Sequence, residues 1–367
     1  MSEHHDKNIK LQPIEAVAQF YKSLIPANIP GEYELNPKLN RFTSEENIRA
    51  GVIAFRDFLN LFCSRLISHG NEYALPPKTP KNIDDYPFLS HVTNLLVDIG
   101  YHGQLSENGD SMLLTAIPSF TAKPKTPANG QMQCLRFLAI CGFSFPDIDL
   151  NAKSFKGTEI EIFYPSNPLV LAGLKAMAIA DIELRTTKRY ANDKSLLRCE
   201  YRLLKAKEPD ILDILKDAIQ SLPAETQSFI IKLHQKHIDK GLTCAITILG
   251  DIHFAYAYVK SSKKELTPRD IYSRRTWGIS ISLKRGFCLV VKAKKTDNPA
   301  SNIEYFHPSL RQIIEKGYGC DRLFNERCNW GCQGIRIPLD ENILNFRDDI
   351  ETWLDSQLPK SISVRLH

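Results

Sequence analysis

The sequence predicts an α+β protein: a helical N-terminal region, a ferredoxin-like middle domain, and a C-terminal α+β domain of antiparallel hairpins with a cysteine-rich loop. Three observations predict it. Apolar residues recur at steps of three and four through the first hundred residues, which is helical spacing. The middle stretch reads β-α-β-β-α-β from Met112, the split βαβ order. Beyond residue 240, alternating segments separated by short glycine-containing turns read as hairpins. At 367 residues the chain is long enough for two or three domains. The expected divisions are 1–100, 101–205 and 206–367.

The N-terminal helices come first. Thr43 and Glu46 form a capping-box pattern ahead of Ile48, Val52, Phe55, Leu59, Phe62 and Leu66, one buried face of a long helix, with Gly70 as the expected stop. Prolines 76, 77 and 80 mark a surface connection. A second helix over 87–99 turns Phe88, Val92, Leu95 and Leu96 inward. Asn108-Gly109 then signals a hairpin between 104–105 and 112–117. A helix over 131–140 is capped by Gly142. Residues 143–148 read as a short edge strand, limited by Pro146, and 158–164 as a further strand. Asn167-Pro168 opens a helix that is apolar on nearly every side, hence buried between layers. Residues 196–204 are the last expected strand of the middle domain.

In the third part, 210–222 and 224–240 read as helices joined at Pro223, and Gly241 ends the second. Strands are expected at 243–249 and 253–259. A second hairpin, 277–283 with 287–293, turns at Lys284-Arg285-Gly286. Helices are expected at 308–316 and 341–358.

Composition excludes little about function. Hydrophobic residues are 43% and charged residues 24%, which rules out wholesale disorder. A formal charge of +5 is too mild to mark a nucleic-acid or membrane binder by itself. No Walker loop, Rossmann fingerprint, HExxH or GxSxG is present. The polar start, residues 1–12, has no apolar core for a signal peptide, and the longest uncharged run, 162–174, is 13 residues and holds two prolines. No membrane span is expected. The nine cysteines, an odd number, fit reduced thiols, and the expected location is the cytoplasm.

The cysteine-rich run is Gly317-Tyr318-Gly319-Cys320-Asp321-Arg322, Glu326-Arg327-Cys328, Gly331-Cys332-Gln333-Gly334, leading into Ile337-Pro338-Leu339-Asp340. It resembles the C-terminal signature of an uncharacterised family of soluble bacterial proteins. Residues 82–89 and 173–178 are similar to other stretches of that family. The resemblance covers most of the chain and implies no activity.

Three constellations offer chemistry. Cys320, Cys328 and Cys332, spaced C-x7-C-x3-C, could hold zinc, since thiolates are soft ligands and the second gap suits a zinc turn. The set is one ligand short. Asp321, His307, Cys288 or water would complete it, and three reduced thiols in a compact loop is the alternative. A basic hairpin is second. Residues 260–295 carry eleven Lys and Arg against Glu265 and Asp270. Alternation sends Trp277, Ile279, Ile281 and Leu283 to the core and Ser280, Ser282, Lys284, Lys292 and Lys294 outward. With Arg274, Arg275 and Arg285, this face would bind an anionic partner, nucleic acid or a phosphorylated ligand, and Tyr256, Tyr258 and Tyr272 lie nearby in sequence. A lysine-protected, solvated edge hairpin is the alternative. Third, His234 and His237, one helical turn apart, with Asp251 and His253, would be the site of an enzyme between the middle and C-terminal domains. Their apolar helix neighbours favour histidines held by backbone partners instead.

Overall fold

A computed structural model of the chain describes residues 10–115, 128–155, 157–249, 251–259, 267–292, 300–316 and 334–358. It is an α+β structure with helices toward the N-terminus and two antiparallel sheets. The chain divides into two compact units, Met1–Pro209 and Asp210–His367.

In the first unit, α1 (Ile14–Leu24) packs on the long α2 (Glu45–Tyr73), and α3 (Pro87–His102) follows in the chain. The cap of α2 is Ser44, which accepts from the Asn47 backbone N–H, while Thr43 accepts from the Asn47 side chain. The N-cap expected at Thr43 is therefore displaced by one residue, to Ser44. Gly70 does not end the helix. It lies within α2, where a Cβ would stand 2.7 Å from Ile14 Cγ2, so the glycine admits α1 rather than stopping α2.

The Asn108-Gly109 turn forms as expected, with Gly109 at φ +76°. It joins β1 (Gln104–Leu105) to β2 (Ser111–Thr115), and β2 pairs antiparallel with β3 (Glu159–Phe163). Between β2 and β3 runs α4 (Ala128–Ile140). After β3 comes α5 (Leu169–Glu183), buried on nearly all sides as its composition predicts.

The ferredoxin-like order is not formed among the described residues. The sheet has three antiparallel strands in the order β1-β2-β3. The expected strand at 143–148 contributes a single bridge, Ser144 to Phe163. Residues 196–204 are turns followed by a 3-10 helix, Tyr201–Leu204. Their backbone bonds close locally, Glu200 N–H to Ser195 O and Leu203 N–H to Glu200 O, around Cys199 at φ +50°. Among the described residues the segment meets a neighbouring extended stretch only at its end, where Leu204 O accepts from Asn36 N–H and Lys205 bridges Leu35, and the alternating Arg198, Glu200 and Arg202 are buried, with Glu200 and Arg202 paired to each other.

The second unit opens with α6 (Ile211–Ala218) and α7 (Ala224–Asp239). The meander β4 (Leu242–Leu249), β5 (Asp251–Tyr258), β6 (Trp277–Ser282), β7 (Gly286–Val291), β8 (Ile335–Pro338) forms a five-stranded antiparallel sheet in that order. Two further helices, α8 (Pro268–Arg274) and α9 (Pro308–Glu315), precede β6 and β8. The expected last helix begins as a 3-10 turn, Glu341–Phe346, and continues as α10 (Arg347–Ser356).

One sheet face is the core. Tyr256 and Trp277, cross-strand partners, stack with centroids 3.8 Å apart beneath α7. On the other face Ile271 of α8 packs on Ala245 and Ala257. Helices α7 and α10 are tied by Lys236 to Glu351 and by Lys240 to Asp355.

Candidate functional site

The second face of the C-terminal sheet carries the site. Register places Thr247, His253, Ser280 and Cys288 in one row across four strands. Side chains opposite each other in such a row are neighbours on one face. Next to it runs a row of small residues, Ala245, Ala255, Gly278 and Val290, which ends in Arg336 on β8.

The expected hairpin forms, with Trp277 opposite Val291 and Ile281 opposite Phe287, and its turn is tighter than expected, since Ser282 already pairs with Gly286. Its outward face is not solvated. Ser280 and Ser282 are 4% and 3% exposed. Nor is the hairpin at an edge, since β5 and β8 flank it. Distant segments, α8 and β8, supply what local alternation cannot show.

The basic residues divide. Lys284 and Arg285 sit exposed in the turn at one end of β6, while Arg274 is exposed before its other end. Lys292, at that same end, donates to the Ser273 carbonyl at 2.8 Å. Arg275 is buried. It donates to the Tyr272 carbonyl at 2.7 Å, and its guanidinium carbon lies 3.9 Å from the Tyr272 ring centroid. Lys294 lies outside the described residues, as do Cys320, Cys328 and Cys332.

His253 is the centre of the cluster. Its ring is 5.1 Å from that of Tyr272, and its Nε2 is 4.0 Å from Asp251 Oδ2. Burial, with the guanidiniums of Arg275 and Arg336, pushes its pKa down to about 4, so the imidazole is neutral at pH 7. Arg336 is half-buried. Burial and Arg285 hold it below the usual arginine range, while Cys288, Tyr272 and Asp251 act the other way. Arg336 is rooted on β8, in the row that Gly278 and Ala255 share, on the same face as His253. Cys288 donates through sulfur to the Arg285 carbonyl at 3.3 Å, and burial pushes its thiol up despite Arg336 and Arg285. Thr247 Oγ1 is buried with no hydrogen-bond partner among the described residues.

The three histidines do not converge. His234 Nδ1 is 2.7 Å from the Tyr256 hydroxyl, and His237 packs on Trp277, both on the core face. His253 is on the opposite face, with the sheet between. His237 Nδ1–H donates to the Leu233 carbonyl at 2.9 Å, and its Nε2 stands 3.5 Å from Asp355. Among the described residues no group of three His, Cys, Asp or Glu is placed to hold a metal ion. Of the side chains considered as a fourth thiol-site ligand, His307 caps α9 by accepting from Ser309 N–H at 3.3 Å, and Cys288 lies opposite Pro338, the far end of β8 from residue 334. Asp321 lies outside the described residues.

Sequence reading missed Arg336. The signal was present: a single charged residue between Ile335 and Ile337 in a run otherwise apolar.

No helix among the described residues is long and apolar enough to cross a membrane. The chain matches no protein-family model, no curated protein and no solved structure.

Proposed function

We propose that the chain is a binding protein that takes a nucleic acid through its phosphates, on the basic residues exposed at the two ends of β6 in the C-terminal sheet. What supports this reading is the exposed Arg274, Lys284 and Arg285 at the ends of β6, with Arg275 and Arg336 near enough for their charges to act on His253. Among the described residues Asp251 is the carboxylate beside them. Arginine forks are suited to phosphate oxygens. Arg274 and Lys292 at one end of β6, and Lys284 at the other, extend the positive charge along the strand. Six residues of strand separate those ends by roughly 20 Å at about 3.3 Å per residue. A polyanion reaches both ends, and Tyr272 offers a ring beside the path.

A compact phosphorylated ligand is the second reading, favoured by the influence of both Arg275 and Arg336 on the one imidazole of His253. The two part in experiment. A short single-stranded oligonucleotide should bind with an affinity that falls linearly with salt on logarithmic axes, by about −0.7 per phosphate contacted. Arg336→Ala should weaken any phosphate-bearing ligand. Arg274→Glu with Lys284→Glu should weaken the oligonucleotide alone. Absence of binding to the oligonucleotide at low salt would overturn the nucleic-acid reading.

The second part of the proposal is a structural zinc held by Cys320, Cys328 and Cys332. It rests on their spacing and thiolate chemistry alone.

A further inference from the structure

We infer that the free edge of β4 is a dimer interface: two copies of the chain lay these strands side by side, antiparallel about a two-fold axis, and join their five-stranded sheets into one continuous sheet. This goes beyond the anion-binding reading and does not rest on it.

The two edges of the C-terminal sheet are built differently. β8 is four residues long, carries Arg336 and ends in the exposed Pro338, which has no N–H to offer. A short strand with a charge and a proline is protected from pairing with another chain. β4 has none of that protection. It runs for eight residues without a charge, a proline or a glycine. Its register with β5 is unbroken from Leu242 opposite Tyr258 to Leu249 opposite Asp251, so no bulge turns it away. Among the described residues β5 is its only strand neighbour. The side of β4 away from β5 is therefore a ladder that lacks its second strand.

That side is open although the faces of the strand are covered. Cys244, Ala245 and Ile246 keep 7%, 6% and 6% of their surface, whereas Tyr256, Ala255 and Phe254, their partners on β5 and on the same faces, keep none. Ala245 is packed against Ile271 of α8. What stays accessible on β4 is the side turned away from β5.

The strand is also complementary to itself, and this selects a second copy over an extended segment of another protein. Leu242, Cys244, Ile246 and Ile248 take the core face, and Thr243, Ala245 and Thr247 the other. Residues directly opposite in an antiparallel pair share a face, so the two-fold axis must pass through a residue rather than between two. With the axis at Ala245, Leu242 stands opposite Ile248 of the partner subunit, Cys244 opposite Ile246, Thr243 opposite Thr247, and Ala245 opposite its own copy. Apolar residues meet apolar residues, threonine meets threonine, and no like charges face each other. Thr247 Oγ1, buried with no hydrogen-bond partner among the described residues, gains a hydroxyl opposite it. Each copy presents the same strand, so the contact is isologous and closes at two chains.

The test is the mass of the untagged full-length chain in solution, by sedimentation equilibrium over a range of concentrations. Wild type should show a monomer–dimer equilibrium with nothing larger. Thr243→Lys should shift it to monomer. Thr243 is exposed in the single chain, which therefore accommodates the lysine, whereas a dimer would bring two of them into the interface. Pro338→Lys, at the opposite edge, should leave the dimer intact. Circular dichroism checks that each variant folds. The register has its own measurement. In Ala245→Cys two thiols face each other with Cα atoms about 4.5–5.5 Å apart, within disulfide range. Mild oxidation should then yield a joined peptide containing residue 245 from both chains, read by mass spectrometry. Wild type that stays monomeric at every concentration overturns the inference. So does a dimer that Thr243→Lys leaves intact, or an assembly that grows beyond two chains. A dimer that yields no such joined peptide overturns the pairing about Ala245.

Discussion

Gly173 and Gly51 face each other where α5 crosses α2, and a Cβ built on Gly173 would lie 1.9 Å from the Gly51 carbonyl oxygen. No side-chain rearrangement relieves that contact, because the obstacle is backbone. The two helices meet at a distance that only glycine permits. Gly173→Ala should lower stability by about 3 kcal/mol or more, at the upper end of what overpacking costs. Thermal unfolding of the variant measures it, and an unchanged midpoint would mean that the helices do not approach this closely.

Leu174, the next residue on α5, is fully buried. Leu174→Asp should leave no soluble folded protein. An unpaired buried carboxylate costs several kcal/mol, comparable with a domain's stability margin. Soluble expression and circular dichroism decide the matter.

Asp355 links α10 to α7 through Lys240 at 2.6 Å, Lys236 at 3.2 Å and His237 at 3.5 Å. Burial pushes its carboxyl pKa up, but the contacts from His237, Lys240 and Lys236 outweigh that and hold it well below the usual range. A depressed carboxylate contributes stability that is whole above the unfolded value of about 3.9 and lost as pH falls from there. Asp355→Asn should therefore cost about 1 kcal/mol at neutral pH, discounted because the side chain is 35% exposed. The variant should also lose less stability than wild type on acidification below about pH 4. Denaturant unfolding across that range checks both, and parallel pH profiles would remove Asp355 as the cause.

The thiol proposal has its own test. Elemental analysis of untagged protein should find zinc at one equivalent, and Cys328→Ser should release it. Cys63→Ser should not, because Cys63 is buried on α2 with its thiol pushed up to about 12 by burial. Metal-free wild type would leave three ordinary cysteines.

The sequence alone determined the elements whose patterns repeat over a few residues. The face of α2, the all-round burial of α5, the Asn108-Gly109 turn and the inward face of the 277–291 hairpin depend on neighbours one to four residues away, so they are legible without a partner. Tertiary structure decided everything set by distant segments. Gly70 reads as a stop until Ile14 is seen against it. Residues 196–204 alternate like a strand, yet among the described residues only the end of the segment, at Leu204, bonds to a neighbouring extended stretch. Alternation sends Ser280 and Ser282 to the face opposite Trp277, but whether that face is open depends on chain placed far away in sequence. The same holds for the site. His234 and His237 are near His253 in sequence and are separated from it by a sheet, whereas Arg336, more than eighty residues further on, lies within reach of its charge. A periodic pattern specifies which side of an element a residue takes; only the packed chain specifies what covers that side.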